Sequence, residues 1–330
     1  MSVLVTGGAG YIGSHMVWHL TDAGEDVVVL DNLSTGFRWA VAPEAHLVLG
    51  DIGDEALVSH LIRQHGVDAI IHFAGSIVVP DSVADPLGYY LNNTVKTRSL
   101  LAAAVATGVR QFIFSSTAAV YGTPAVTPVV EDAALSPESP YGRSKMMTEM
   151  MLADTAVAHD FRYVALRYFN VAGADPRGRT GQSTRGATHL MKVASEAALG
   201  KRDGMTVYGT DYPTEDGTCV RDYIHVSDLV AAHGDALGYL REGGASLVAN
   251  CGYGRGYSVL EVVDTVKAVS GRDFKVTFGA RRPGDPAAIV GSPERIKATF
   301  GWVPQHADLA GIVGDALAWE AALERRNQRD

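Results

Sequence analysis

The chain has 330 residues, 47% of them hydrophobic and 20% charged, and 28 basic against 37 acidic side chains leave a net charge of −9. That balance describes a globular protein with a sizeable core and argues against a surface for nucleic acid or another polyanion, while leaving local basic pockets for phosphates open. Two cysteines, Cys219 and Cys251, lie far apart without CxxC spacing, and the eleven histidines form no HExxH-type cluster, so reduced thiols and no metal site are expected.

An apolar run over residues 1–5 leads into Thr6-Gly7-Gly8-Ala9-Gly10-Tyr11-Ile12-Gly13, and a helically periodic segment, 11–23, follows. The order is strand, glycine turn, helix. Gly7 permits the tight turn, Gly10 lets a pyrophosphate approach the backbone, and Gly13 lets the helix pack closely on the strand. The helix N-terminus then offers free N–H groups and the positive end of a dipole. A second strand-like run, 26–30, ends at Asp31, an acidic residue at the spacing expected for the adenine ribose. Its carboxylate accepts from ribose hydroxyls and repels a 2′-phosphate, so NAD rather than NADP is expected. With a strand from residue 2 there is no room for a signal peptide, and no apolar run is long enough to span a bilayer; a cytoplasmic protein is expected.

Residues 46–49 read as a short third strand, 54–65 as a helix, 69–73 as a buried strand and 86–107 as one long helix. A strand at 111–115, a helix at 141–159 and a strand at 162–166 follow. This alternation predicts an α/β protein with a doubly wound parallel (Rossmann) sheet covered on both faces, its ligands outside the carboxyl ends of the strands. After Arg167 the pattern loosens. Residues 175–186 read as a long Gly-, Arg- and Thr-rich loop, with helices near 188–199, 227–240, 259–269 and 309–322 and short strands between. Residues 1–167 are therefore expected to bind NAD and 168–330 to form a smaller C-terminal substrate lobe, with the chain returning to the sheet near 246–250. The polar tail, 324–330, is expected to fray.

Three features carry chemistry. Ser115, Ser116 and Thr117 place hydroxyls where a strand leaves the sheet, Asn92 and Asn93 lie on the preceding helix, and Tyr141 and Lys145 stand four residues apart on one helical face. A free tyrosine, with a pKa near ~10, is a poor base at neutral pH. A nearby ammonium, reinforced by a positive nicotinamide ring, favours the phenolate. Thr117 can hold a substrate oxygen and pass its proton. A Tyr-Lys pair at this spacing is commonly a solvated helix face; the serine-rich strand end and the nucleotide fingerprint set this one apart.

The stretch from Thr6 to Gly13, the run Phe114 to Gly122 (FSSTAAVYG) and Tyr141-Gly142-Arg143-Ser144-Lys145 together resemble the extended short-chain dehydrogenase/reductases. His72-Phe73-Ala74-Gly75, Leu166-Arg167-Tyr168-Phe169-Asn170, the run from Tyr208 to Val226 and Arg281-Arg282-Pro283-Gly284-Asp285 look like the UDP-galactose 4-epimerases of that group. The likeness covers nearly the whole chain, and the 208–226 run is highly specific. It implies that Gly7, Gly10, Tyr11 and Ile12 border the pyrophosphate, that Asp31 and Asn32 hold the adenosine ribose, and that Asp51 and Ile52 contact adenine. It further implies that Phe73, Ala74 and Gly75 line the cofactor groove near Asn92 or Asn93, with Tyr168 by the nicotinamide and Thr117, Tyr141 and Lys145 catalytic. Asn170, His189, Leu190, Tyr208, Arg221, Arg282 and Asp285 match positions that hold UDP. An ordinary reading of Arg221 pairs it with Asp222 at the surface.

Two departures stand out. Ile77 replaces a lysine that contacts the cofactor in some members, and Ile289 occupies a position beside the sugar that is often Tyr or a small residue. The resemblance implies interconversion of UDP-glucose and UDP-galactose through a 4-keto sugar. A UDP-pentose or UDP-N-acetylhexosamine 4-epimerase is the alternative. A nucleotide-sugar dehydratase would carry an Asp-Glu pair after the strand-end hydroxyl, where this chain has Ala118-Ala119, and a non-catalytic NAD-binding sensor would be expected to lack Tyr141 or Lys145. A homodimer is expected as well. The helices 86–107 and 141–159 carry apolar residues on more than one face (Leu100, Leu101, Val105, Met146, Met147, Met150, Met151), and the resemblance implies a two-fold four-helix contact.

Overall fold

The structure is a computed structural model that describes residues 1–282 and 284–327; Pro283 of the 281–285 motif and residues 328–330 of the polar tail lie outside it. The strands are β1 (Ser2–Thr6), β2 (Asp26–Asp31), β3 (His46–Leu49), β4 (Val67–His72), β5 (Gln111–Thr117), β6 (Arg162–Tyr168), β7 (Asn170–Ala172), β8 (Met205–Tyr208), β9 (Val220–His225), β10 (Leu247–Cys251), β11 (Gly256–Ser258), β12 (Val276–Gly279) and β13 (Ala288–Ile289). The helices are α1 (Tyr11–Asp22), α2 (Glu55–His65), α3 (Val79–Ala84), α4 (Pro86–Tyr90), α5 (Lys96–Thr107), α6 (Pro140–Ala158), α7 (Leu190–Ala198), α8 (Val226–Arg241), α9 (Val259–Ser270), α10 (Glu294–Phe300) and α11 (Leu309–Asn327).

Seven strands form one sheet in the order β10-β6-β5-β4-β1-β2-β3, and every pairing in it is parallel. Strand order reverses between β1 and β4, which opens a crevice at their carboxyl ends. Side chains alternate across the sheet. Val3, Val5, Val29 and Ile71 pack under α1 and α8 with Met16, Val17, Leu229 and Leu237. Leu4, Leu30, Ile70 and Phe112 pack on the other face under α2, α5 and α6 with Leu61, Leu100 and Leu152. Beyond β6 a second core gathers α7, α9 and α11 around Met191, Val262, Val266, Ile312 and Val313. β9 carries a small mixed sheet with β7, β11 and β13. Among the described residues no helix is long and apolar enough to cross a membrane.

The single helix expected over 86–107 is three pieces. Between α4 and α5 lies a π-helical turn, Leu91–Val95. Its widened coil carries Asn93 into the interior, where Oδ1 accepts from the Ser76 N–H at 2.7 Å and Nδ2 donates to the Ser76 carbonyl and the Ser144 hydroxyl. Single π turns of this kind recur at functional sites, and here the Asn93 bonds hold it in place. The apolar faces also differ from expectation. Leu100 and Leu101 are buried in the sheet core, and Met146 and Met151 pack against neighbouring clusters. The strip left bare is Leu87, Leu91 and Val95 with Met147 and Met150 of α6.

Candidate active site

A cleft of about 900 Å³ opens beyond the carboxyl ends of the sheet strands. One wall is the glycine turn. Gly7 has φ +70°, and a Cβ there would meet the Ala74 nitrogen at 2.6 Å; a Cβ on Gly13 would meet the Gly7 carbonyl oxygen at 2.1 Å. These two glycines are demanded by the fold. Gly10 is not, since a Cβ there meets only the Gly7 oxygen at 3.3 Å, yet it faces the cleft and N-caps α1 without any side-chain cap. The first turn of α1 holds no acidic residue, and its residues Tyr11, Ile12 and Gly13 line the cleft, which leaves the positive end of the helix to a ligand there. At the end of β2 the Asp31 carboxylate accepts from the Ala9 N–H at 2.9 Å and the Leu33 N–H at 2.8 Å, which fixes it at the groove edge. An open N-terminus, a side-chain-free approach and a fixed acid fit a dinucleotide.

Tyr11, Ile12, Asn32, Asp51, Ile52, Phe73, Ala74, Gly75 and Asn92 also line the cleft, with Asp51 held by Lys96 at 2.5 Å. Further along stand Thr117, Tyr141 and Tyr168, and beyond them Asn170, His189, Leu190, Arg221, Asp285 and Ile289. His189 stands at the exposed rim of the cleft, its Nδ1 3.4 Å from the Gln182 amide nitrogen.

Local sequence explains why Tyr141 arrives there. Ser139 accepts from the Gly142 N–H at 3.1 Å and Pro140 sets the first helical position, so α6 begins at the cleft floor with Tyr141 in its first turn. Burial pushes the Tyr141 phenol up to about 12, against the neighbouring Thr117 hydroxyl, which lowers it. One turn on, Lys145 lies behind the wall. Its Nζ donates to the Ser115 carbonyl at 2.9 Å and sits 4.9 Å from the centre of the Phe114 ring. Burial brings it down to about 8, with Glu149 opposing. The Ser115 hydroxyl bonds the Tyr168 hydroxyl at 2.5 Å.

Five predicted site residues do not line the cleft. Lys145, Ser115 and Asn93 form its backing. Tyr208 and Arg282 stand outside, the guanidinium 4.1 Å from the ring centre. Arg221 does not pair with Asp222. The two alternate along β9, so Arg221 faces the cleft, 3.6 Å from Asp285, while Asp222 turns away to accept the Tyr253 and Gly254 N–H groups at 3.0 Å each. The same alternation puts Tyr223 beside Arg221 in the cleft, a residue the strand period could have found. Gln182, Thr184 and Arg185 also line it, from a loop whose composition gave no signal beyond being a loop. Elsewhere His225, His306 and Asp315 converge, but both His225 ring nitrogens are engaged, Nδ1 with the Ser227 N–H and Nε2 with Asp315.

The model of the NAD dependent epimerase/dehydratase family matches residues 3–252. A UDP-glucose 4-epimerase of Azospirillum brasilense is 58% identical over 98% of this chain and 93% of its own length. The crystal structure of UDP-glucose 4-epimerase from Brucella ovis in complex with NAD superposes with a TM-score of 0.93 at 46% identity, covering 96% of this chain and 97% of that one. The Bifidobacterium longum enzyme in complex with NAD+ and UDP gives 0.93 at 37% identity, covering 97% and 98%. The chain belongs to the NAD dependent epimerase/dehydratase family, among relatives that are UDP-glucose 4-epimerases along nearly their whole length.

Proposed function

We infer that this chain interconverts UDP-glucose and UDP-galactose through a 4-keto sugar, with NAD bound along the glycine turn. The observation that carries the reading is one cleft lined by the glycine cradle and Asp31, by Tyr141 and Thr117, and by Arg221 with Asp285. When bound, NAD supplies the hydride acceptor and a positively charged ring that favours the phenolate. Asp31 selects the unphosphorylated ribose by charge and hydrogen bonding.

Tyr141 takes the proton of the sugar 4-hydroxyl, with Thr117 holding that oxygen. From about 12, the phenol needs roughly 7 kcal/mol of favourable electrostatics to ionise at neutral pH, at about 1.36 kcal/mol per unit. In this reading Lys145, one helical turn on, and the nicotinamide ring are the cations that supply it. Arg221 neutralises the diphosphate with charge-assisted bonds, and Asp285 accepts from the uridine ribose. Tyr208 and Arg282, packed against each other beside the cleft, are assigned to the UDP end as well. Asn170, His189 and Leu190 complete that end. The tethered nucleotide keeps the ketone bound while it turns to present its other face, so binding energy remote from C4 serves the chemistry. Ile77, exposed at the cleft edge, offers no charge to the cofactor, so retention rests on the remaining contacts.

The chain acts as a cytoplasmic homodimer in this reading. Leu87, Leu91, Val95, Met147 and Met150 supply the bare strip that a two-fold copy covers. Incubating the protein with UDP-galactose and measuring UDP-glucose with a coupled dehydrogenase tests the activity. Absence of conversion by NAD-loaded protein refutes it, and a panel with UDP-N-acetylglucosamine and UDP-xylose separates the alternatives.

A further inference from the structure

Tyr141, Lys145 and Glu149 fall at every fourth position of α6, along one ridge of the helix. The first reaches the cleft and the second grips β5 through the Ser115 carbonyl. The third is buried and grips two strands at once. Its carboxylate accepts from the Ser116 hydroxyl on β5 and, in a bidentate pair, from Arg167 on β6, with Nε at 3.0 Å and Nη2 at 2.6 Å. Arg167 is itself fixed by the Tyr121 hydroxyl at 3.0 Å and the Glu131 carbonyl at 3.1 Å, and Tyr121 donates on to Asn250 of β10 at 2.7 Å. Ser116 and Arg167 are register partners across the two strands. Their neighbours Ser115 and Tyr168 form the floor under the cleft.

We propose that Glu149 is a positioning residue for the epimerisation: it locks α6 to β5 and β6 one turn beyond Lys145 and sets a buried anion on the same ridge of the helix. The proposal rests on the activity inferred above. Lys145 Nζ meets the Phe114 ring and the Ser115 carbonyl of β5, lies with Asn93 beside Gly75, and stands near enough to His72 of β4 for its charge to hold that imidazole down. Towards the helix start, Tyr89 of α4 faces Tyr141, and Asp81 of α3 faces Tyr89. Among the described residues Glu149 is the anion whose charge reaches Lys145, and Arg167 stands behind it. A buried pair of this kind is weak evidence for stability, because desolvation offsets attraction. Its placement against the acid–base ridge gives it a second use.

Charge and scaffold separate in opposite substitutions on the NAD-loaded enzyme. Glu149→Gln removes the anion facing Lys145, and Arg167→Gln leaves it unshielded. The alkaline limb of the kcat–pH profile is expected to move down in the first, which strips Lys145 of that anion, and up in the second. A purely structural role gives both variants the same direction or no shift, and either result overturns the proposal. Melting temperatures identify folded variants. Should both fail to fold, Ser116→Ala keeps both charges and removes one hydrogen bond to β5. It is expected to lower kcat roughly three- to tenfold at unchanged KM, and a wild-type kcat overturns the proposal. Wild-type protein inactive on UDP-galactose would instead refute the inferred activity.

Discussion

A single methyl at Gly10 separates ligand binding from folding. The residue has φ −79° and ψ 179°, which alanine adopts freely, and the new Cβ meets only the Gly7 carbonyl oxygen at 3.3 Å. Losing glycine at the N-cap and stiffening the unfolded chain nearly cancel, so stability should change by less than about 1 kcal/mol. Melting should then stay within about 4 °C of wild type. The methyl projects where the pyrophosphate must approach, and overpacking there costs about 1–3 kcal/mol, roughly 5- to 150-fold in NAD affinity. Gly13→Ala is the contrast. Its Cβ falls 2.1 Å from a backbone oxygen, so the turn itself must move, and melting should drop by well over the Gly10→Ala change. The assay is NAD released on denaturing desalted protein, beside a melting curve. Gly10→Ala protein that keeps its full NAD complement refutes the seating of the pyrophosphate on this turn.

Tyr141→Phe keeps the ring and removes the proton acceptor, so kcat should fall by about 10²–10⁴ with UDP affinity nearly intact; near-normal turnover refutes the base assignment. Ile289 lines the cleft while packed among Ala118, Val120, Tyr121 and Val129, and its β-branch cannot swing aside. Wild-type activity on UDP-N-acetylglucosamine should therefore be weak, and Ile289→Ser should raise it roughly ten- to a hundredfold; equal wild-type rates on both sugars count against a gate here. Leu91→Glu, at a half-exposed position on the bare strip, should convert a dimer into a monomer by light scattering without loss of fold. A wild-type monomer at micromolar concentration contradicts the dimer outright.

The nucleotide half was legible because its chemistry is local. A glycine turn, its strand and its helix are contiguous, and Tyr141 and Lys145 share one helix face at a spacing that survives folding. What stayed hidden depends on partners distant in the chain. The π turn forms because Asn93 finds Ser76 and Ser144, 17 and 51 residues away. Glu149 acquires meaning only beside Arg167 of another element. Arg221 and Asp285 meet across 64 residues, and only strand alternation could have separated Arg221 from Asp222. The helices α3 and α10, of 6 and 7 residues, are too short for an apolar period to show.

The late strand of the large sheet constrains how the chain is made. β10 pairs with β6 across a gap of 83 residues, and the Ser246 hydroxyl accepts from the Tyr163 N–H over the same span. A nascent chain that has completed β6 therefore exposes an unpaired strand edge until the ribosome delivers residue 251, about 4–17 s later at ordinary elongation rates. During that interval the seam is open to any extended segment nearby, and closing it requires a long-range parallel pairing, which is intrinsically slow. Yield on overexpression should respond to holdase chaperones and to slower growth more than to gains in final stability.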